Sequence, residues 1–214
     1  MHRLRIRFGR GVEIKFISHL DIVRLWHRVF RRAGIELAYS EGFNPHPKVS
    51  VAAPLALGVT SQAELMDVYT TCFISPHSFI ACVSRQLPPG IEVIQVYNIA
   101  TTLPSLQAQV RYAEYVVKVN REWGREYITQ ALTSLLANEK LPWQHQRDTG
   151  LRSYDLRALI DDLWLIGRDT NYNRIGMRLR CDSHGSGRPE QVVKALGFER
   201  SECIHRTRLI LETS

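Results

Sequence analysis

The chain has 214 residues, of which 44% are hydrophobic, with a formal net charge of +7 at pH 7 and a sequence pI near 9.5. This composition excludes a disordered chain, and no apolar run approaches the roughly 20 residues that a transmembrane helix needs. The basic excess favours a polyanionic partner, nucleic acid above all, because clustered cations release counterions from phosphates. A basic but inert surface is the alternative.

The four cysteines, Cys72, Cys82, Cys181 and Cys203, are scattered without a C-x-x-C pair. The start "MHRLRIRFGR" lacks the apolar core of a signal peptide. Both features predict a reduced, cytoplasmic protein. Because an iron–sulfur cluster needs several converging thiolates, and no close-spaced metal-ligand pair is present, we expect neither a metal nor a cofactor.

The first elements of the chain are a strand and a helix. Alternating apolar residues on both sides of Gly9 and Gly11 predict a strand broken by a bulge, or a short hairpin. Ser18 and Asp21 have the spacing of a capping box, which starts a helix that Gly34 ends. The apolar face of this helix has helical periodicity and consists of Leu20, Val23, Trp26, Val29 and Phe30.

The opposite face of the helix is basic. Arg24, Arg28 and Arg32 are spaced by four residues, with His27 and Arg31 beside them. Acidic residues are not interspersed among them, which makes the stripe a candidate for contact with phosphate, and an ordinary solvated face is the alternative.

His19 lies in the first turn of this helix, where the helix dipole disfavours an imidazolium. A neutral imidazole there is able to relay a proton or to donate to a ligand phosphate, and a plain structural role is the alternative. A metal site formed by His19, Glu41 and His46 is disfavoured for want of a close-spaced pair.

A stiff loop follows the helix in the stretch "YSEGFNPHPKVSV". Each proline fixes its own φ and holds the preceding residue extended, and Gly42 supplies a turn. The loop is therefore predicted to present Asn44, His46 and Lys48. The alternative is a rigid connection with Phe43 in the core and His46 bonded to backbone.

Further strand and helix patterns complete the order β-α-β-β-α-β, which a polar stretch follows and which then recurs without a sequence repeat. The predicted fold class is α+β, with two tandem ferredoxin-like units built on antiparallel sheets. The predicted domains are residues 1–100 and 111–214, joined by a linker at 101–110.

Near the carboxyl end, "SHGSGRPEQV" leads a glycine-rich turn into a helix with Arg188 at its mouth. Exposed amides and a guanidinium there form a candidate anion site, and an ordinary turn explains the same residues. The chain has neither a P-loop, nor a dinucleotide fingerprint, nor a G-x-S-x-G elbow.

Three motifs, "FISHLD", "RRAG" and "YSEGFNPHP", together with the later "GSGRPEQVVKALG", closely resemble the bacterial family DUF2344, the radical-SAM-associated proteins. The resemblance implies that the partner is a radical S-adenosylmethionine enzyme, encoded beside or fused to members of the family. It implies no established activity. The motif positions are Ser18, His19, Leu20, Asp21, Tyr39, Ser40, Glu41, Gly42, Phe43, Asn44, Pro45, His46 and Pro47.

The leading hypothesis is a non-catalytic companion of that enzyme that binds RNA or presents a substrate. The second is a metal-independent RNA endonuclease that uses His19 and His46 as its catalytic pair, and the third is a protein-interaction module without nucleic acid. The predicted substrate or partner contacts are Ser18, His19, Asp21, Glu41, Asn44, His46 and Lys48. The predicted phosphate contacts are Arg24, Arg28, Arg31, Arg32 and Arg188.

Overall fold

The computed structural model describes residues 1–147 and 150–212. These residues form a mixed α+β architecture with mostly antiparallel strand pairing and five α-helices. The chain divides into two units, Met1–Val110 together with the residues from Leu211 on, and Arg111–Ile210. The predicted α+β class is confirmed at this level.

The first unit has the predicted element order β-α-β-β-α-β. Its elements are β1 (His2–Arg10), a 3₁₀ turn (Val12–Ile14), α1 (His19–Arg32), β2 (Val49–Val51), β3 (Thr60–Thr70), α2 (Pro76–Ser84) and β4 (Ile91–Ile99), followed by the short α3 (Leu106–Gln109). The strands lie in the order β4-β1-β3-β2, and each neighbouring pair is antiparallel.

The core of the first unit lies between one face of this sheet and its helices. Leu4, Ile6 and Phe8 alternate along β1 and are buried. The ring of Phe8 packs edge-on against Trp26 of α1 at a centroid distance of 5.0 Å. Trp26, Val29 and Phe30 of the apolar face predicted for α1 are therefore directed into the core, where Phe30 stacks on Trp26 at 5.3 Å. The prediction is wrong for Leu20, which is 65% exposed.

The second unit contains β5 (Val110–Asn120), α4 (Arg125–Ala137), β6 (Pro142–Arg147), β7 (Gly150–Asp155), a 3₁₀ turn (Arg157–Leu159), β8 (Ile160–Arg168), β9 (Tyr172–Asp182), β10 (Gly185–Ser186), α5 (Pro189–Ala195) and β11 (Cys203–Leu211). Strand β9 pairs with both β5 and β8, and β11 lies next to β5. Strands β6 and β7 form a separate hairpin.

Four local features differ from the sequence-based expectation. The segment after Gly11 is a 3₁₀ turn instead of a strand, although the irregular pairing at Phe8 and Arg10 is the bulge that was predicted. The hairpin β6–β7 was not predicted, and α3 lies within the predicted linker. Arg206 is fully buried, although an arginine that alternates with apolar residues, as in "HRTRLIL", is typical of a solvent-facing strand side.

Candidate nucleic-acid interface

The start of α1 is fixed by two residues of the "SHLD" motif. The Ser18 Oγ accepts a hydrogen bond from the Asp21 amide at 3.2 Å, and the hydroxyl donates to Asp21 Oδ2 at 2.7 Å. Arg24 Nη1 donates to Asp21 Oδ1 at 3.1 Å. These bonds from Ser18 and Arg24 hold the pKa of Asp21 below its ordinary value. Ser18 and Asp21 therefore serve to begin the helix, and contact with a substrate stays a prediction for both.

His19 is half-buried at the same helix start, close to two buried charged residues. The Arg10 guanidinium lies beneath this turn and donates to the Ile17 carbonyl at 2.9 Å. Burial and the Arg10 charge lower the pKa of His19, and the Glu64 carboxylate opposes them. The imidazole is therefore neutral near pH 7. The direction matches the prediction, but burial is the main cause.

The exposed face of α1 carries the predicted basic stripe. Arg24, Arg28, Arg31 and Arg32 are all exposed. From Arg24 to Arg32 the stripe rises about 12 Å along the helix. Of these four arginines, only Arg24 forms an ion pair within the described ranges, and its partner is the Asp21 carboxylate. The stripe thus presents three guanidinium groups that form no ion pair with the rest of the described chain, although the charge of Arg28 contributes to lowering the pKa of Asp21.

His27 lies at the border of this stripe. Its ring is half-buried, and burial lowers its pKa, so it adds no charge to the face near neutral pH. The cationic surface of α1 is thus formed by arginine alone.

The motif "YSEGFNPHP" forms a loop that closes on itself (residues 39–47, hereafter the presenting loop). Tyr39 and Pro47 form an isolated antiparallel bridge. Between them, the Ser40 amide donates to the His46 carbonyl at 2.8 Å, and the His46 amide donates to Ser40 Oγ at 3.0 Å. One serine therefore clamps both sides of the loop, and the predicted stiffness has a hydrogen-bonded cause besides the prolines.

The tip of the presenting loop faces solvent. Gly42 has φ of 120°, a conformation that a side chain would strain. Glu41, Asn44 and His46 are exposed, and Phe43 is fully exposed. The alternative that placed Phe43 in the core is therefore wrong. The hydrogen bonds of His46 with Ser40 are made by the His46 main chain, and a bond from the imidazole to backbone stays a prediction.

The two motifs are anchored at opposite ends of β3. His19 interacts electrostatically with Arg10 and Glu64 at the end of the sheet where β1 ends and β3 begins. The presenting loop joins the sheet at the other end, where the Tyr69 amide donates to the Lys48 carbonyl at 3.0 Å. The helix α1, with its arginine stripe, runs between them.

This separation bears on the endonuclease hypothesis. Five strand residues, or about 17 Å, separate Glu64 from Tyr69. A general acid and a general base must each come within a hydrogen bond of the same reacting group. Anchoring at different ends of β3 therefore disfavours catalysis by His19 and His46 on one substrate.

The glycine-rich turn of the second unit is internally bonded. The amides of His184 and Gly185 donate to Asp182 Oδ1 at 2.8 and 3.1 Å, and the Gly187 amide donates to the Arg180 carbonyl at 2.9 Å. The amides that would have formed an anion site are thus occupied. Arg188 is exposed, with its Nη1 3.2 Å from His145 Nε2, and its contact with phosphate stays a prediction.

Sequence reasoning missed a buried ionic network on β1 and β3. Asp67 Oδ2 accepts from Arg3 Nη2 at 2.6 Å and from Arg5 Nη2 at 2.9 Å. Arg3 also donates to the carbonyls of Leu103 and Pro104 at 2.7 and 2.8 Å. The only signal in the sequence was the arginine at every second position of "HRLRIRF", a pattern typical of a solvent-facing strand side.

The described residues contain no group of three or more histidine, cysteine, aspartate or glutamate side chains placed to hold a metal ion. None of their helices is long and apolar enough to cross a bilayer.

Comparison with solved structures shows a likeness of fold. A chain in the crystal structure of a Cbf5-Nop10-Gar1 complex superimposes with a TM-score of 0.53 and 9% identity, over 96% of this chain and 48% of that one. A chain of the archaeal box H/ACA sRNP Nop10-Cbf5 complex gives a TM-score of 0.49 and 11% identity, over 97% and 48%. The protein thus spans about half the length of these structural neighbours.

One protein family matches most of the chain. No curated protein matches the sequence. The family described as "Uncharacterized protein conserved in bacteria (DUF2344)" matches residues 3–189, a range that includes "FISHLD", "RRAG" and "YSEGFNPHP" and ends within "GSGRPEQVVKALG". The chain is therefore a member of the DUF2344 family.

Proposed function

We propose that this protein is a non-catalytic RNA-binding companion of a radical S-adenosylmethionine enzyme in the cytoplasm. The RNA-binding part rests on one observation. The arginine stripe of α1 is exposed, and Arg28, Arg31 and Arg32 form no ion pair within the described chain. The identity of the partner enzyme class rests on the family resemblance.

The physical case for RNA is electrostatic. Like charges four residues apart on a helix repel one another, which destabilises the free protein slightly. A phosphate backbone removes that repulsion and releases counterions. Guanidinium groups also match phosphate in a bidentate geometry that lysine lacks. The stripe is therefore better suited to a polyanion than to bare solvent.

The remaining predicted residues take supporting roles in this proposal. Asn44, His46 and Lys48 would contact the RNA or the partner enzyme from the presenting loop and its base, and Glu41 would contact the partner. His19 would contact a ligand as a neutral donor at the far end of α1. Arg188 would add a phosphate contact from the second unit.

The direct test is the salt dependence of binding to a fluorescein-labelled single-stranded RNA, measured by anisotropy. We expect the logarithm of the association constant to fall linearly with the logarithm of salt concentration, by a slope of about 0.7 per phosphate contacted. Reversing two charges, with Arg24→Glu and Arg28→Glu, should weaken binding and reduce that slope by at least about 1.4.

Arg200→Ala is the matched control, because Arg200 is an exposed arginine of the second unit outside the stripe. Its affinity should equal that of the wild type. The proposal would be refuted if the affinity for RNA changed neither with salt concentration nor in the Arg24→Glu, Arg28→Glu variant.

A second candidate function, docking on a protein, is favoured by an apolar surface at the amino-terminal end of α1. Phe16 and Leu57 are 72% and 59% exposed, and the Gly58 amide brings the two segments together by donating to the Lys15 carbonyl at 2.8 Å. Val12 and Leu20 add exposed apolar area nearby. Such a surface fits the partner enzyme in this proposal.

Co-expression with the radical S-adenosylmethionine enzyme tests this second function. Phe16→Ser and Leu57→Ser should reduce co-purification in the presence of nuclease and high salt. Phe73→Ser is the control, because Phe73 is 64% exposed and follows the opposite end of β3. Equal recovery with all three variants would exclude this surface.

We also infer that the two units are tandem ferredoxin-like repeats. Each has two helices inserted at the same points of a four-strand order, β2-β3-β1-β4 in the first unit and β8-β9-β5-β11 in the second. The shared order supports this assignment, with β6–β7 as an insertion.

A further inference from the structure

The presenting loop holds one aromatic side chain entirely in water. Phe43 is fully exposed, although its backbone is fixed by the Ser40 clamp and follows Gly42. Burying a phenylalanine side chain is worth about 1.5–3 kcal/mol, which the free protein forgoes here. Because the backbone is already ordered, a ligand that covers Phe43 meets little further entropic cost. The geometry thus favours recognition through this ring.

The charged side chains around the loop favour an anionic ligand. α1 ends with Arg31 and Arg32 in its last turn, and four residues later the chain pairs with the end of β3, where the loop emerges. Lys48 lies at the base of the loop and Glu41 on it. The other nearby carboxylate, Glu36, already accepts hydrogen bonds from the Thr71 hydroxyl and the Cys72 thiol.

A second aromatic ring lies at the foot of the loop. Tyr39 is 54% exposed and bridges to Pro47, so it projects from the same clamped segment as Phe43. Aromatic rings next to a cationic surface are the combination with which proteins hold single strands, because every base has a face that stacks and every nucleotide has a phosphate. Bases within a duplex are already stacked and offer no such face.

We infer that the presenting loop stacks an unpaired nucleobase on Phe43, while Arg31 and Arg32 hold the adjoining phosphates. The ligand class is single-stranded RNA or an RNA loop. This inference rests on the proposed RNA-binding function and specifies which RNA is taken. The alternative ligand is a partner protein with a pocket that takes up Phe43. The excess of cationic side chains at this end of the sheet disfavours it.

The test uses a short single-stranded RNA with 2-aminopurine at successive positions, and a duplex of the same sequence. Wild-type protein should quench the 2-aminopurine fluorescence at one position and bind the single strand more tightly than the duplex. Phe43→Ala should abolish the quenching and weaken single-strand binding about 5- to 150-fold, and Phe43→Trp should retain both. The salt dependence should stay unchanged, since no charge is removed.

Tyr97→Ala is the control, because Tyr97 is an aromatic residue with 43% of its surface exposed and lies on β4, outside the presenting loop; it should behave as wild type. If RNA binding is salt-dependent and lost on arginine reversal, but Phe43→Ala binds as wild type, the stacking inference is overturned while the proposed function stands. Equal affinity for the duplex overturns the inference as well. If the wild-type protein binds no RNA at all, both fail.

Discussion

Two groups of arginines in the first unit show how one residue type serves two purposes. Arg3 and Arg5 on β1 are buried and share a single carboxylate, Asp67. Arg28 and Arg31 on α1 are exposed and form no ion pair within the described residues. The difference lies in the partners, because a buried guanidinium must be neutralised and fully hydrogen-bonded, whereas an exposed one is solvated by water.

The buried group satisfies that requirement closely. The guanidiniums of Arg3 and Arg5 use the two oxygens of Asp67, carbonyls at 103 and 104, and Gln109 Oε1 at 3.1 Å. Of these seven bonds, the three to residues 103, 104 and 109 fix the segment around α3 onto β1. The exposed group fixes nothing in the protein and is therefore available to a ligand. The following changes test this contrast.

Asp67→Ala should have the largest effect. It leaves two buried guanidinium groups without their carboxylate, and we expect a loss of about 3–5 kcal/mol in the free energy of unfolding. Urea denaturation followed by circular dichroism measures it. The control is Asp161→Ala, since Asp161 is a half-exposed partner of Arg178 at 3.4 Å, and its loss should cost less than about 1 kcal/mol. Equal effects of the two changes would contradict a structural role for the buried network.

The triple variant Arg28→Ala, Arg31→Ala, Arg32→Ala should separate binding from stability. We expect the unfolding free energy to stay within about 0.5 kcal/mol of wild type, because alanine preserves the helix and no ion pair is lost. Affinity for single-stranded RNA should fall about tenfold or more at moderate salt, since each lost contact removes about 0.7 from the salt slope. A marked loss of stability with unchanged affinity would reverse the assignment of the two groups.

Ser18→Ala should have an intermediate effect, on the helix that carries the exposed group. The Ser18 hydroxyl caps α1 and orders Asp21, so its removal should cost about 1 kcal/mol of stability. Thermal unfolding measures the change. Ser18→Thr should restore most of it, because threonine also caps helices. If serine, alanine and threonine are equivalent, the cap does not stabilise α1.

The smallest effect should be that of pH on the half-buried histidines. Burial lowers the pKa of His19, His27 and His205 in the folded protein, so the unfolded chain takes up protons first as pH falls. Stability is therefore fully present above about pH 6.5 and declines as pH falls toward the lowered values. His27→Gln should flatten the dependence of the melting temperature between about pH 7 and 5. Arginine does not titrate in this range, so RNA affinity through the stripe should change little.

Periodicity and capping predicted the element order of the first unit and both ends of α1, because those signals are local. The hairpin β6–β7 escaped prediction because "PWQHQR" and "GLRSYD" lack an alternating apolar face. The burial of Arg3 and Arg5 depends on a carboxylate more than sixty positions away and on carbonyls about a hundred positions away. Such pairings are tertiary, and charge in a strand is ordinarily a sign of exposure.

Of the candidate site, the basic stripe and the stiff loop were predictable from residue spacing and proline placement. The environment of His19 and the exposure of Phe43 were not, because each depends on which segments pack nearby. An aromatic residue between a glycine and a proline is compatible with either a core plug or an exposed tip.

The buried network also sets an order of events during synthesis. Arg3 is synthesised about a hundred positions before Leu103 and Pro104, whose carbonyls complete its hydrogen bonds. The Gln109 carbonyl accepts from the amide of Glu212, almost at the end of the chain. A nascent chain therefore carries incompletely bonded arginines on β1 until α3 emerges, and the first unit gains the Gln109–Glu212 contact only after β11 has been synthesised.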